Sequence, residues 1–117
     1  MQNETNLTDC VINSLEEMKA HDVVTLDVHK LTDVTDKMII ASGTSNRHVK
    51  SISDFTVEQA KKLGRRPLGV EGADNSEWVL IDLDDLLVHV MLPRVRDFYN
   101  LEKLWSPDLM AHAAQSD

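Results

Sequence analysis

"MIIASGTSNRHVKSI", residues 38–52, decides the fold. Its first residues form a short, nearly continuous apolar strand, the pattern of a buried central position. Gly43 breaks the run. Thr44 or Ser45 can then accept hydrogen bonds from the free N–H groups of a helix's first turn. From Val49 onward the period is helical, with Val49, Ile52, Ala60 and Leu63 on one face. "KKLG" (61–64) closes this helix. Two lysines suit its negative end, and a glycine suits the residue that leaves it.

The flanking segments extend the pattern. Upstream, Thr5 or Asn6 can cap a first helix with a stripe of Leu7, Val11, Leu15 and Met18. "DVVTLDV" (22–28) alternates, with Val24, Leu26 and Val28 on one side and Val23, Thr25 and Asp27 on the other, which reads as a strand. "HKLTDVTDK" (29–37) is a polar connection. Downstream, "RPLGVEG" (66–72) reads as a third strand, with Pro67 suited to an edge or a strand start. "EWVLIDL" (77–83) and "LLVHVML" (86–92) form a hairpin that turns at Asp84 and Asp85. Pro93 stops the last strand, and "RVRDFYNLEKLW" (94–105) is a short helical segment. The order αββαβββ predicts an α/β fold. It has a mixed sheet of about five strands, two main helices and a short C-terminal helical segment. A parallel pair around the second helix requires a right-handed crossover. Residues 1–105 are expected to form one domain, and residues 106–117 a flexible tail.

With 117 residues and 42% hydrophobic content, the chain has enough apolar material for one packed core. No apolar run approaches the roughly 20 residues that cross a bilayer. The N-terminus has no secretory pattern, and the single Cys10 rules out an internal disulfide, so a cytoplasmic location is expected. Twenty acidic residues against twelve basic ones give a net charge of −8. That balance opposes sequence-specific binding to bare nucleic acid and suits a basic partner such as a ribosomal or other nucleic-acid-binding protein, although on charge alone the acidity is better explained by solubility. "KKLGRRP" (61–67) is the only short basic cluster.

Catalytic signals are weak. "SGTS" before a helix could hold a phosphate on backbone N–H groups, but it lacks the lysine and glycine spacing of a P-loop and the G-x-G-x-x-G pattern. Asp82 and Asp84 lie two apart and could share a magnesium ion, as in nucleotidyl transfer. Aspartate also favours hairpin turns, which explains both positions without chemistry. No two of the five histidines have metal-ligand spacing. Cys10 has no basic neighbour, and Ser42, Thr44 and Ser45 have no evident His–Asp relay. No catalytic residue, metal or cofactor is therefore expected. The hairpin offers a surface instead. Trp78, Leu80 and Asp82 point one way, Leu87, His89 and Met91 line one side of the partner strand, and Phe98, Tyr99 and Trp105 could extend the patch. The competing expectation is that the terminal segment folds back and buries it.

Four phrases, "TDKMIIASGTSNRHVKSISD", "PLGVEG", "WVLIDLDDLLVHVM" and "RDFYNLEKLW", resemble the ribosomal silencing factor RsfS, or Iojap, family. The resemblance runs in order from about Leu7 to Trp105. It implies a nucleotidyltransferase-like mixed sheet without enzymatic activity. It also implies a cytoplasmic factor that binds large-subunit ribosomal protein number fourteen, blocks small-subunit joining and represses translation under nutrient limitation. Members also form homodimers. Carried onto this chain, the family's shared regions contain Glu71, Trp78, Asp82, Leu83, His89, Met91, Tyr99, Leu101, Glu102 and Trp105, which are the expected partner-binding residues. Members usually carry glycine where this chain has Asp84.

Overall fold

The computed structural model describes residues 7–104. The expected caps at Thr5 and Asn6, Trp105 and the tail at 106–117 lie outside them. The elements are α1 (Leu7–Glu17), β1 (His21–Asp27), β2 (Lys37–Ser42), α2 (Asn46–Lys62), β3 (Gly69–Glu71), β4 (Trp78–Asp82), β5 (Leu86–Met91), α3 (Pro93–Tyr99) and α4 (Leu101–Leu104). The five strands form one sheet in the order β1-β2-β5-β4-β3. β2 and β5 are parallel, and the other three pairings are antiparallel. The fold is therefore α/β with a mixed five-stranded sheet.

Burial explains the strand order. β2 and β5 are buried along nearly their whole length and take two of the three inner positions, β5 at the centre. β3 runs in the same direction as β2 but lands three positions away, because both strands of the β4–β5 hairpin lie between them. β3 is also shorter than expected. Only Gly69–Glu71 pair, since Pro67 has no N–H to donate and β3 is the sheet's edge. In β1 the register shifts between His21 and Val24, and Asp22 has φ +52°. This bulge still leaves Val24 and Leu26 opposite Ile40 and Met38.

One face of the sheet carries α1 and α2. Ile39, Ala41, Val79, Ile81, Val88 and Val90 fill it, beneath Val11, Leu15, Val49, Ile52 and Ala60, and all are 0–1% exposed. Leu63 departs from expectation. It is the C-cap of α2 and is 44% exposed, because the helix ends before completing that face. The cap itself follows the expected chemistry. Gly64 has φ +81°, the Arg65 N–H bonds to the Ala60 carbonyl (2.9 Å), and the Gly64 N–H bonds to that of Lys61 (2.9 Å).

The turn from β2 into α2 is built from side chains. The Ser45 hydroxyl accepts the His48 N–H at 3.1 Å. His48 Nδ1 accepts the Thr44 N–H (2.9 Å), and its Nε2 donates to the Met18 carbonyl (2.8 Å), tying the end of α1 to the start of α2. Gly43 is required by close approach: a Cβ there would stand 2.8 Å from Val49 Cγ2 and 2.9 Å from the Val49 backbone nitrogen. Two amides that a phosphate would need, those of Thr44 and His48, are thus already bonded within the turn.

Candidate functional site

The other face of the sheet holds the two rows expected from the hairpin. Trp78, Leu80 and Asp82 sit directly opposite Met91, His89 and Leu87. Ser42, Ile40 and Met38 of β2 continue the rows. Alternation puts all of these on the side away from α1 and α2. The terminal segment covers part of this face. α3 and α4 fold back over the Ser42–Met91–Trp78 end, while the aromatic rim stays open to solvent.

The fold-back has a polar anchor. Pro93 takes the first position of α3, where its missing N–H costs nothing. Three residues on, Arg96 is 7% exposed. Its guanidinium donates two bonds of 2.9 Å to the Glu102 carboxylate and a third, also 2.9 Å, to the Ser42 hydroxyl. Asn100, in the left-handed conformation (φ +51°), makes the bend that brings Glu102 back to Arg96. The hydrogen bonds from Arg96 hold the Glu102 carboxyl below the usual glutamate range.

Other residues of α3 line a groove of about 600 Å³, formed mainly by Gly72, Glu77, Trp78, Arg94, Phe98 and Tyr99. The Trp78 and Tyr99 ring centroids are 4.9 Å apart, and Phe98 meets Tyr99 edge-on at the same distance. Phe98 is 79% exposed and Tyr99 is 51% exposed. Exposed aromatics beside a groove are uncommon on a small acidic domain and are typical anchors of an interface. Gly72 shapes the floor. Its φ is +85°, and a Cβ there would collide with the Trp78 carbonyl oxygen. Arg94 and Glu77 form an exposed ion pair (3.2 Å) at the rim.

His89 supports Trp78 from below. The indole N–H donates to His89 Nδ1 at 3.0 Å. His89 Nε2 is buried without a hydrogen-bond partner among the described residues. Burial pushes the imidazole pKa down to about 4, so the ring is neutral and orients Trp78 by accepting the hydrogen bond of its indole N–H.

The ten expected binding residues divide into groups. Trp78 and Tyr99 line the groove. Glu71 is exposed on the edge strand, and Asp82 and Leu101 are half-buried. Leu83 is 2% exposed and belongs to the helix-side core, because strand parity puts it with Val79 and Ile81. Met91 is 0% exposed beneath α3, and His89 is 7% exposed. Glu102 is engaged by Arg96. Leu83, Met91 and Glu102 therefore support the surface rather than present it, and Trp105 lies outside the described residues. Arg94 was missed, and Phe98 was noted without being included. The spacing of Arg94, Val95 and Phe98 along one helical face is the signal that joins them.

The acid pair has a structural use. Asp82 Oδ1 accepts the Asp84 N–H (2.9 Å), and the Asp85 N–H bonds to the Leu83 carbonyl (3.1 Å). Asp84 itself has φ +78°, a conformation suited to glycine. No group of three or more His, Cys, Asp or Glu side chains among the described residues is placed to hold a metal ion. No helix among them is long and apolar enough to cross a membrane.

Comparison with known proteins agrees with this architecture. A crystal structure of a Chromobacterium violaceum protein superimposes with a TM-score of 0.85 at 41% identity, covering 89% of this chain and 87% of that one. A Chromobacterium violaceum protein named ribosomal silencing factor RsfS is 43% identical over 99 residues, 85% of this chain and 81% of the relative. The Haemophilus influenzae protein of the same name is 37% identical, over 86% of this chain and 98% of the relative. The family model for the ribosomal silencing factor during starvation, RsfS, matches residues 1–117. The hairpin, the glycine-shaped turn into α2 and the folded-back aromatic segment are thus those of a relative of named silencing factors, and the chain belongs to the RsfS family.

Proposed function

We propose that this chain binds the large ribosomal subunit through large-subunit ribosomal protein number fourteen. Bound there in the cytoplasm, it keeps the small subunit from joining and represses translation when nutrients are scarce. The observation that carries this reading is the solvent-open groove of Trp78, Phe98 and Tyr99 on a chain of net charge −8. Rigid aromatic anchors supply a desolvated centre, and the acidic field speeds the approach of a basic partner. Steric occupation needs no catalysis, which suits a site whose acid pair is engaged in its own turn.

Co-sedimentation with purified large subunits at low salt tests the proposal, with subunit joining followed in parallel. Binding together with blocked joining is expected. No binding together with normal joining overturns it. Within the groove, Trp78→Ala should weaken binding by more than about 1 kcal/mol while the fold is retained. An unchanged dissociation constant in a folded variant removes Trp78 from the interface.

A further inference from the structure

Apart from Val34 (71% exposed) in the β1–β2 connection, the exposed large apolar side chains outside the groove gather at one place among the described residues. Leu63 (44% exposed), Leu68 (70%) and Val70 (39%) lie between the end of α2 and the edge strand β3. The same stretch holds four of the chain's twelve basic residues, Lys61, Lys62, Arg65 and Arg66. Arg65 is neutralised by Asp85 of the hairpin turn (2.8 Å). Lys61, Lys62 and Arg66 are exposed, and none of them forms an ion pair among the described residues. Two lysines at a helix C-terminus are accounted for by its dipole. Arg66, beyond the cap, and the exposed leucines are not.

The position of this patch indicates what it meets. β3 leads from Leu68 to Gly72, which lines the groove. Four residues of strand span about 13 Å. A basic ribosomal protein seated in the groove offers no complementary charge to the three unpaired cations that precede this span. An anionic surface complements them, and on a ribosomal subunit the anionic surface beside a ribosomal protein is the RNA phosphate backbone. We infer that the Lys61–Lys62–Arg66 corner is a second contact of the docked protein, made to ribosomal RNA phosphates without base recognition. This rests on the docking proposed above. The net charge of −8 repels free RNA, so the contact forms only once the groove holds the corner close.

The test uses the full chain and purified large subunits, with affinity measured from 50 to 200 mM KCl. The probes are wild type and the triple variant Lys61→Gln, Lys62→Gln, Arg66→Gln. All three sites are exposed, so the fold should survive, with circular dichroism as the check. Three lost phosphate contacts should lower the slope of log affinity against log salt by about 2–3 and weaken binding at 100 mM KCl by at least about tenfold. Affinity for isolated ribosomal protein number fourteen should stay unchanged. A benzophenone carried on Leu68→Cys, in a Cys10→Ser background, should cross-link to RNA. Unchanged affinity and slope toward subunits overturn the inference while leaving the docking proposal intact. Equal loss toward the isolated protein, or cross-linking to protein only, assigns the corner to an acidic protein surface and also overturns it. Wild type that fails to bind subunits overturns both proposals.

Discussion

Acid should loosen this protein through His89. The ring is 7% exposed, its Nδ1 accepts the Trp78 indole N–H, and its pKa is about 4 against the ordinary 6.5. Above pH 6.5 both folded and unfolded chains carry this histidine neutral. Between pH 6.5 and 4 the unfolded chain takes up a proton that the folded chain refuses, so stability falls as pH falls. The slope approaches one proton, about 1.4 kcal/mol per pH unit. From pH 7.5 to 4.5 the two pKa values give a loss of about 2 to 3 kcal/mol, and somewhat more at lower pH. Glu102, whose pKa is lowered, adds its own loss only at more acidic pH. The comparison protein is His89→Gln, whose side-chain carbonyl still accepts the Trp78 N–H but does not titrate in this range. Urea unfolding followed by circular dichroism at half-unit steps, at constant ionic strength, gives both profiles. Wild type should lose about one proton's worth of slope more than the variant between pH 6.5 and 4.5. Parallel profiles would refute the reasoning.

The remaining expectations concern single contacts. Asp84→Gly relieves the φ of +78° at the hairpin turn and should raise stability by about 0.5–1 kcal/mol, read as a higher urea midpoint at constant slope; a lower midpoint contradicts it. Gly43→Ala places a methyl 2.8 Å from Val49 and should cost about 2 kcal/mol or more, unless unfolding data show the helix shifting freely. Glu102→Gln leaves the buried Arg96 guanidinium without its carboxylate and should cost about 2 kcal/mol; a neutral outcome would mean that Ser42 alone holds Arg96.

Much of the architecture is legible in local pattern. The apolar run at Met38 to Ser42, the helical stripe through Val49, Ile52 and Ala60, and the alternation on either side of Asp84 and Asp85 each follow from one element burying one face. The ordered phrases from Leu7 to Trp105 were enough to point to the family. The capping role of Ser45 and the glycine ending α2 were also readable, because the chemistry of a helix end is set by its nearest residues. Other features depend on which elements meet. Leu83 and Met91 carry the same residue types as a binding anchor, and only strand parity and the return of α3 place them inside. Nothing near Glu102 in the sequence shows that Arg96 will reach it and Ser42 together, across 54 positions in the latter case. His89 becomes a neutral support for Trp78 only once the register sets β5 against β4 and burial removes its water. The sequence by itself thus determined the elements, the charge and the family, because these follow from neighbouring residues and their order. Tertiary structure decided which face stays open, because exposure depends on what distant segments fold over it.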